Sequence, residues 1–247
     1  MLNFKKKISI KETNVLLKTD DNKFIDIAKN TILRERILLE NYILKHPEFL
    51  RSYEPLSVDV EAPRIVKMMA RAGENANVGP MASVAGSISQ IIVENAIKEG
   101  CKNIISENGG DIALRATKNI IVGLYAGNSP LSGHIGFEIK EDRSFKGYGV
   151  CTSSGTVGHS VSFGNADAVV VFAEESSIAD AAATSIGNFA VGPPEEAINK
   201  CLEQGESIDN IDGAFVVVGG YAGKIGKVPK LIKTDKRITF GELFVMI

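Results

Sequence analysis

The sequence predicts an α+β fold, because many short strand patterns and a few long helical patterns follow one another without strict alternation. The longest helical pattern covers residues 24–46, where apolar positions recur at close to helical spacing. The most apolar strand pattern runs from Ala166 to Phe172 and is typical of a central strand that is buried on both faces. These observations argue against a regular repeat of strand–helix–strand units.

Turn and boundary residues place the other elements in order. Alternation within residues 5–18 predicts a hairpin before the long helix. Pro63 and Pro80 each stand at the start of a helix, and Gly100 has the position of a C′ residue after the second one. The predicted helices are 63–72, 80–99, 178–191 and 194–204, the predicted strands are 103–106, 112–115, 119–125, 134–140 and 144–151, and a closing hairpin is predicted at 214–220 with 222–232.

Length and composition are those of an ordinary globular protein. The 247 residues fall within the range of one domain, 44% of them are hydrophobic, and the net charge is −2. We expect no nucleic-acid partner, since there is no basic excess, and no membrane partner, since the longest apolar runs are about six to eight residues. Residues 1–7 are basic but lack a following apolar segment, so we expect a cytoplasmic protein without a signal peptide.

Two glycines and a carboxylate separate two predicted strands in the stretch Asn108-Gly109-Gly110-Asp111. Glycine permits positive φ and lets a ligand approach the backbone, and consecutive N–H groups in such a turn can form an anion-binding nest. Asp111 would then bind a hydroxyl, a ring N–H or a cation at the edge of a strand. The alternative is a hairpin turn in which Asp111 only caps the loop.

An acid and a hydroxyl share one helix face in the stretch Ser177-Ile178-Ala179-Asp180-Ala181-Ala182-Ala183-Thr184. Asp180 and Thr184 are four residues apart, so both side chains can offer oxygen ligands to a hard cation such as Mg²⁺. The three alanines keep the helix thin beside them. The alternative is structural, because Ser177 and Asp180 also have the spacing of a capping box.

A loop rich in hydroxyl groups follows a predicted strand and ends in a histidine. It reads Cys151-Thr152-Ser153-Ser154-Gly155-Thr156-Val157-Gly158-His159. The hydroxyl and N–H groups of residues 152–154 can bind phosphate oxygens. The imidazole of His159 can act as a general base or hold a phosphate, because histidine titrates near neutral pH. The alternatives are a solvated connection for the loop and a buried strand thiol, rather than a nucleophile, for Cys151.

In this order, the three motifs resemble those of the ApbE family of FAD:protein FMN transferases. That family reads roughly N-x-G-G-D-I, then T-S-G with a following histidine, then A-D-A-x-A-T, and the matching stretches here are 108–112, 152–155 with His159, and 179–184. The similarity covers about residues 78–192. It is greatest to a short ApbE-like branch found in archaea and some bacteria, which also carries a G-P-M-A-x-V-A-G stretch like residues 79–86.

The resemblance implies a fold and a site. The fold would be a T-fold-like, mixed or antiparallel sheet with helices packed on one face, in a single domain over 1–247 with the hairpin and long helix in 1–60 and the motif-bearing core in 78–192. Asp180 and Thr184 would bind Mg²⁺ together with a main-chain carbonyl near Gly79-Pro80, and His159 would be catalytic. FAD or FMN would lie along the ligand-binding residues Asn108, Gly109, Gly110, Asp111, Thr152, Ser153, Ser154 and Gly155.

Two departures from the family pattern narrow the expected chemistry. The transferases have K-G-Y-A-V-D where this chain has Met81-Ala82-Ser83-Val84-Ala85-Gly86, and the H-I-x-D-P-x-T-G segment is replaced after His159. We therefore expect a divergent ApbE-like protein that binds a phosphate-bearing small molecule, such as a flavin nucleotide, with Mg²⁺, and that carries out transferase or hydrolase chemistry.

Two alternatives remain open. Archaeal relatives of this branch have been associated with sulfide assimilation into homocysteine, which implies an accessory protein in which Cys151 handles sulfur. The other alternative is an inactive binding or assembly module. T-fold relatives commonly form homo-oligomers, and the apolar face of residues 32–44 would supply an interface.

Overall fold

Two sheets and seven α-helices form the described part of the protein, which in this computed structural model comprises residues 2–155, 164–235 and 244–246. The strands are β1 Phe4–Ile10, β2 Thr13–Thr19, β3 Ile104–Asn108, β4 Asp111–Arg115, β5 Ile120–Gly123, β6 Ile135–Ile139, β7 Tyr148–Ser153, β8 Ala168–Ala173, β9 Gly213–Val218, β10 Tyr221–Gly226, β11 Lys230–Lys233 and β12 Phe244–Met246. The helices are α1 Lys23–Lys45, α2 Glu48–Arg51, α3 Arg64–Ala76, α4 Val84–Lys98, α5 Glu141–Ser144, α6 Ser176–Asn188 and α7 Pro194–Glu206, and a 3-10 turn, Pro80–Ser83, leads into α4.

The larger sheet has eight strands in the order β1-β2-β3-β4-β7-β8-β9-β10, and every neighbouring pair in it is antiparallel. The N-terminal hairpin extends this sheet, because β2 pairs with β3. The smaller sheet has the order β11-β6-β5-β12 and is also antiparallel. The α+β fold class with an antiparallel sheet is therefore confirmed.

Both faces of the larger sheet are covered. Helices α1, α4, α6 and α7 pack against β2, β3–β4, β7–β8 and β9–β10 on one face. The small sheet covers the other face, where the ring of Phe137 makes edge contacts with Phe172 at 4.9 Å and Phe215 at 5.4 Å between centroids. Strand β8 alternates between the two layers, with Val171 packed beneath the helices and Phe172 beneath the small sheet. Its lack of polar alternation is explained by this double burial.

Helix α6 lies deepest in the helical layer. Every residue from Ser176 to Gly187 is buried, and its neighbours are β7 and β8 below it and α3, α4 and α7 beside it. Alanine at positions 181, 182 and 183 lets these elements approach closely, because a larger side chain would separate them. The predicted thin helix is thus present, and it positions Asp180 inside the protein.

The structure corrects two predicted elements. Residues 144–151 are not one strand, since α5 occupies Glu141–Ser144 and β7 begins only at Tyr148. Residues 222–232 are not one strand either, since β10 belongs to the large sheet and β11 to the small one. The chain turns between them at Gly226, which has φ of +63° and lies so near Asp212 that a Cβ would approach its carbonyl oxygen to 2.4 Å.

Among the described residues, no single helix is long and apolar enough to cross a membrane. Two consecutive helices, Arg64–Ala76 and Pro80–Lys98, are together long and apolar enough for a membrane span, but their axes bend by 104° at the break between them. Both members of that pair contribute to the same buried apolar cluster, which contains Met69 of α3 and Ile91 of α4.

Candidate functional site

The double-glycine stretch forms a tight hairpin between β3 and β4. Asn108 pairs with Asp111, and the two residues between them have positive φ, +69° at Gly109 and +105° at Gly110. Positive φ at both central positions is typical of a two-residue type I′ turn. The predicted backbone conformation is thus present, and the glycines are required by it.

The N–H groups of this turn are directed at a carboxylate of the chain itself. The N–H of Gly110 donates to Glu107 Oε1 at 2.8 Å. Burial raises the pKa of Glu107, and hydrogen bonds from Gly110 and Gly109 oppose that rise. The side chain of Asn108 is also engaged, since it donates to the Ala85 carbonyl at 3.4 Å and accepts from the Asn14 N–H at 3.3 Å. The ligand-binding role of residues 108–110 stays a prediction.

Asp111 faces the helical layer rather than capping the loop. The register between β4 and β7, in which Ile112 pairs with Val150, sets Asp111 beside Cys151. Its side chain accepts from the Thr152 N–H at 3.3 Å, and its carbonyl accepts from Ser89 Oγ of α4 at 3.1 Å. Only 8% of Asp111 is exposed. The carboxylate is thus held at the start of β4 beneath the helices.

Asp180 approaches the same place from helix α6. It is 8% exposed, and its Oδ2 accepts the N–H of Gly86 at 2.8 Å, in the first turn of α4. The first N–H groups of a helix have no partners within it, and a negative charge there is stabilised by the helix dipole. Asp180 therefore caps the neighbouring helix. The capping-box alternative is wrong, because Ser177 Oγ donates instead to Gln90 Oε1 at 3.0 Å.

Gly86 makes this approach possible. A Cβ added to it would lie 2.4 Å from the Ser176 carbonyl oxygen and 2.7 Å from the Asp180 Cβ. Gly86 stands where the transferase motif has its aspartate, so the aspartate could not be accommodated at this spacing of α4 and α6. No role is predicted for Gly86 from the sequence alone, although a glycine in the first turn of a helix is itself a signal of close packing.

Burial raises the proton affinity of both carboxyl groups. Burial, and then the charge of Asp180, raise the pKa of Asp111 well above its ordinary value. Burial raises the pKa of Asp180 to about 7, against the opposing hydrogen bonds from Gly86 and Ala85. Within the described ranges neither carboxylate takes part in a salt bridge. Two buried like charges of this kind are relieved by a shared proton or by a bound cation.

Cys151 lies beside the carboxylates as a buried thiol. Its Sγ is 3.3 Å from the Ser176 carbonyl oxygen and 3.2 Å from Ser176 Oγ, which in turn donates to the Ile112 carbonyl. Burial, followed by the charges of Asp111 and Asp180, raises its pKa well above the ordinary value. This environment favours the buried strand thiol over a nucleophile, since the reactive form of cysteine is the thiolate.

The remaining loop residues differ in their surroundings. Ser153 shares a face of β7 with Cys151, and its buried Oγ has no hydrogen-bond partner in the described part of the chain. Ser154 is half-buried, and Gly155 is exposed while its N–H donates to the Ala166 carbonyl at 3.0 Å. Thr184 is 8% exposed, one helical turn beyond Asp180. His159 lies outside the described residues.

The donor atoms brought together here are hard oxygens. In the described ranges, no cluster of three His, Cys, Asp or Glu side chains has the arrangement of a metal site. The available donors are the carboxylates of Asp111 and Asp180, the hydroxyl of Thr184 and nearby backbone carbonyls. A small set of protein oxygens is what Mg²⁺ uses when water and a phosphate complete its shell. The donor set therefore fits magnesium bound together with a phosphate-bearing ligand.

Sequence comparisons identify relatives over almost the whole chain. A family described as AbpE bacteria matches residues 3–220. A UPF0280 protein of Methanococcus aeolicus is 68% identical over 245 residues, which cover 98% of this chain and 99% of the relative. A second UPF0280 protein, from Methanocaldococcus jannaschii, is 59% identical over 242 residues and covers 98% of both chains.

Solved structures extend the relationship at the level of the fold. The ApbE protein of Thermotoga maritima matches with a TM-score of 0.58 and 12% identity, covering 90% of this chain and 96% of that one. The flavin transferase ApbE of Vibrio cholerae matches with a TM-score of 0.51 and 13% identity, covering 96% and 98%. The chain therefore belongs to the UPF0280 family, an ApbE-like branch that shares its fold with flavin transferases.

Proposed function

We propose that this protein binds a phosphate-bearing small molecule together with Mg²⁺, between the β3–β4 hairpin and helix α6. The observation that carries the proposal is the pair Asp111 and Asp180, two buried carboxylates that lack a cationic side chain as partner in the described ranges. Burial of unpaired charge is costly, and binding sites are where such arrangements concentrate.

A flavin nucleotide is the ligand that we propose first. The fold is shared with flavin transferases, and the diphosphate of FAD would supply the oxygens that a magnesium ion needs beyond those of the protein. When bound, Mg²⁺ would neutralise phosphate charge and polarise a phosphoryl oxygen. The resemblance motivates a role for His159 as the acid or base of a transferase or hydrolase step.

The residues of this chain would each hold one part of the complex. Asp180 would keep its hydrogen bond with the Gly86 N–H through one oxygen and offer the other to the metal. Asp111 would be oriented by the N–H of Thr152. Ser153 would donate its hydroxyl to a phosphate oxygen, which would give a partner to a buried group that has none among the described residues.

Calorimetric titration of FAD in magnesium chloride and in EDTA tests this proposal. We expect magnesium to tighten FAD binding at least about tenfold, and Asp180→Asn to remove that dependence, because the amide cannot replace the negative charge. Asparagine retains an acceptor for the Gly86 N–H, so we expect the variant to fold. Its melting temperature, compared with that of the wild type, checks this. FAD binding that is equally tight with EDTA, or that is unchanged in Asp180→Asn, would contradict the proposal.

Ser185→Ala is the matched control for Thr184→Val. Both variants remove a hydroxyl from helix α6, but Ser185 Oγ accepts from Gln204 of α7 at 3.1 Å, away from the carboxylate pair. We expect Thr184→Val to weaken magnesium-dependent binding and Ser185→Ala to leave it as in the wild type. If both variants weakened magnesium-dependent binding equally, the cause would be disturbed packing of helix α6, and the proposed role of Thr184 as a metal ligand would be contradicted.

A further inference from the structure

Within the described part of the chain, neither the residue before α4 nor the residue before α6 caps its own helix. Ser83 precedes α4 and is of a type that often caps helices, but its hydroxyl donates to the Pro80 carbonyl at 3.0 Å. Glu175 precedes α6, and its carboxylate accepts from Arg71 of α3. Because the first N–H groups of a helix have no partner within it, both helices need an acceptor from elsewhere in the protein.

Each helix supplies the missing acceptor to the other. Asp180 of α6 accepts the N–H of Gly86, in the first turn of α4, at 2.8 Å. In return, Gln90 Oε1 of α4 accepts the N–H of Ser177, in the first turn of α6, at 3.1 Å and the hydroxyl of the same serine at 3.0 Å. The two residues that each helix contributes are three or four positions apart and therefore lie on one face. The two contacts thus close a ring between successive turns of both helices, which we call the α4–α6 clamp.

The amide of Gln90 is held in the orientation that the clamp requires. Its Nε2 donates to Glu94 Oε1 at 3.0 Å and to Glu175 Oε2 at 3.3 Å, so its oxygen is directed at the start of α6. Arginines of α3 neutralise both glutamates, in the pairs Arg64–Glu94 and Arg71–Glu175. Only 8% of Gln90 is exposed. A buried amide whose groups are all hydrogen-bonded is rigid, so Gln90 can fix the position of α6.

We propose that Gln90 is a positioning residue for the magnesium site, an inference that rests on the proposed function. Asp180 lies one turn after Ser177, so its position depends on the first turn of α6 being formed. With that turn held, Asp180 gives one carboxylate oxygen to Gly86 and leaves the other for the metal. Without the acceptor on Gln90, the N–H and hydroxyl of Ser177 would be buried and unpaired, which favours opening of this turn. Asp180 would then lose its fixed distance from Asp111.

Calorimetric titration of FAD in magnesium chloride and in EDTA separates positioning from folding. Gln90→Met keeps the length of the side chain and removes its acceptor. We expect FAD to bind this variant in EDTA as it binds the wild type, and the tightening by magnesium to fall from at least about tenfold to about twofold or less. Gln204→Met is the matched control, because Gln204 of α7 also bonds to a serine of α6, Ser185, at 3.1 Å, but beyond the clamp. It should keep the tightening of the wild type.

The titrations distinguish the ways in which the inference could fail. Wild-type tightening in Gln90→Met would overturn the positioning role and leave the proposed function intact. Weaker FAD binding of Gln90→Met in both solutions, or an equal loss of tightening in Gln204→Met, would assign a purely structural role to Gln90 and would also overturn the inference. A wild type that binds FAD without any effect of magnesium would contradict the proposed function itself, and the positioning role with it.

Amide hydrogen exchange of the ligand-free protein, followed by NMR, measures the clamp directly. We expect the N–H groups of Ser177 and of Gly86 both to exchange at least about tenfold faster in Gln90→Met than in the wild type. Exchange at Gly86 would rise because Asp180, its acceptor, is released when the start of α6 opens. Gln204→Met should leave both rates unchanged. Unchanged exchange at Gly86 in Gln90→Met would show that the loss does not reach Asp180, and it would overturn the proposal.

Discussion

Asp180 combines two roles that usually belong to different residues. Its carboxylate satisfies N–H groups at the start of α4, and the charge of the same carboxylate raises the pKa of Asp111 at the start of β4. A hydrogen bond to a helix N-terminus stabilises the charged form, whereas burial and a neighbouring carboxylate destabilise it. The raised pKa of both acids indicates that the destabilising effects dominate. That imbalance is why a cation is expected at this point.

The cysteines provide a test of the sulfur-handling alternative. Burial raises the pKa of Cys101 and of Cys201 to about 11, and it raises the pKa of Cys151 well above its ordinary value. We therefore expect no reaction with iodoacetamide at pH 8 in the native protein and alkylation of all three thiols in guanidinium, measured by intact-mass spectrometry. Rapid native alkylation of Cys151 would revive the accessory role in sulfur assimilation.

At the scale of elements, the site depends on how closely two helices pack. Helix α4 meets α6 where Gly86 faces Ser176, and it meets the sheet where Ser89 Oγ donates to the Asp111 carbonyl and Ser106 Oγ donates to Ser89 Oγ at 3.3 Å. Small and hydroxyl-bearing residues on α4 therefore set its distance from both neighbours. A larger side chain at any of these contacts would move Asp180 relative to Asp111.

Gly86→Ala measures this dependence. Replacing glycine by alanine within a helix usually stabilises a protein by roughly 0.4–1 kcal/mol. Here the new methyl group would collide with the backbone of Ser176, so we expect a loss of about 1–3 kcal/mol in the free energy of unfolding, measured with urea. A variant as stable as the wild type would mean that α4 and α6 are farther apart than described.

At the scale of the whole molecule, local patterns predicted the α+β class, the long N-terminal helix, the hairpin at 109–110 and the alanine-rich helix. Each of these depends on residues close together in the sequence. The separation of β10 and β11 into different sheets was missed, because it depends on tertiary contacts around Gly226. The bond between Asp180 and Gly86 spans 94 positions, and no local pattern encodes it. The N–H groups of 109–110 bind Glu107, a contact that the sequence pattern does not reveal, and the ligand-binding role of these residues stays a prediction.

The pH dependence of global stability follows from the buried acids. The pKa of Asp180 in the folded protein, about 7, lies above the ordinary value of 3.8, so the folded state binds the proton more tightly than the unfolded state. The contribution of Asp180 to the free energy of unfolding is therefore complete below pH 3.8, and it is lost as the pH rises through about 7. Without divalent cations, we expect the wild type to lose about 2–3 kcal/mol from this residue between pH 5 and pH 7.5.

Urea denaturation in EDTA between pH 5 and pH 7.5 measures how the free energy of unfolding depends on pH. We expect Asp180→Asn to remove the part of this dependence that comes from Asp180. Asp142→Asn is the control, because Asp142 is an exposed acid at the start of α5. Its pH profile should follow that of the wild type. Magnesium at pH 7.5 should restore stability to the wild type and not to Asp180→Asn, since a ligand that binds only the folded state raises its free energy of unfolding. Coinciding profiles for the wild type and Asp180→Asn would mean that this carboxyl group does not carry the buried proton.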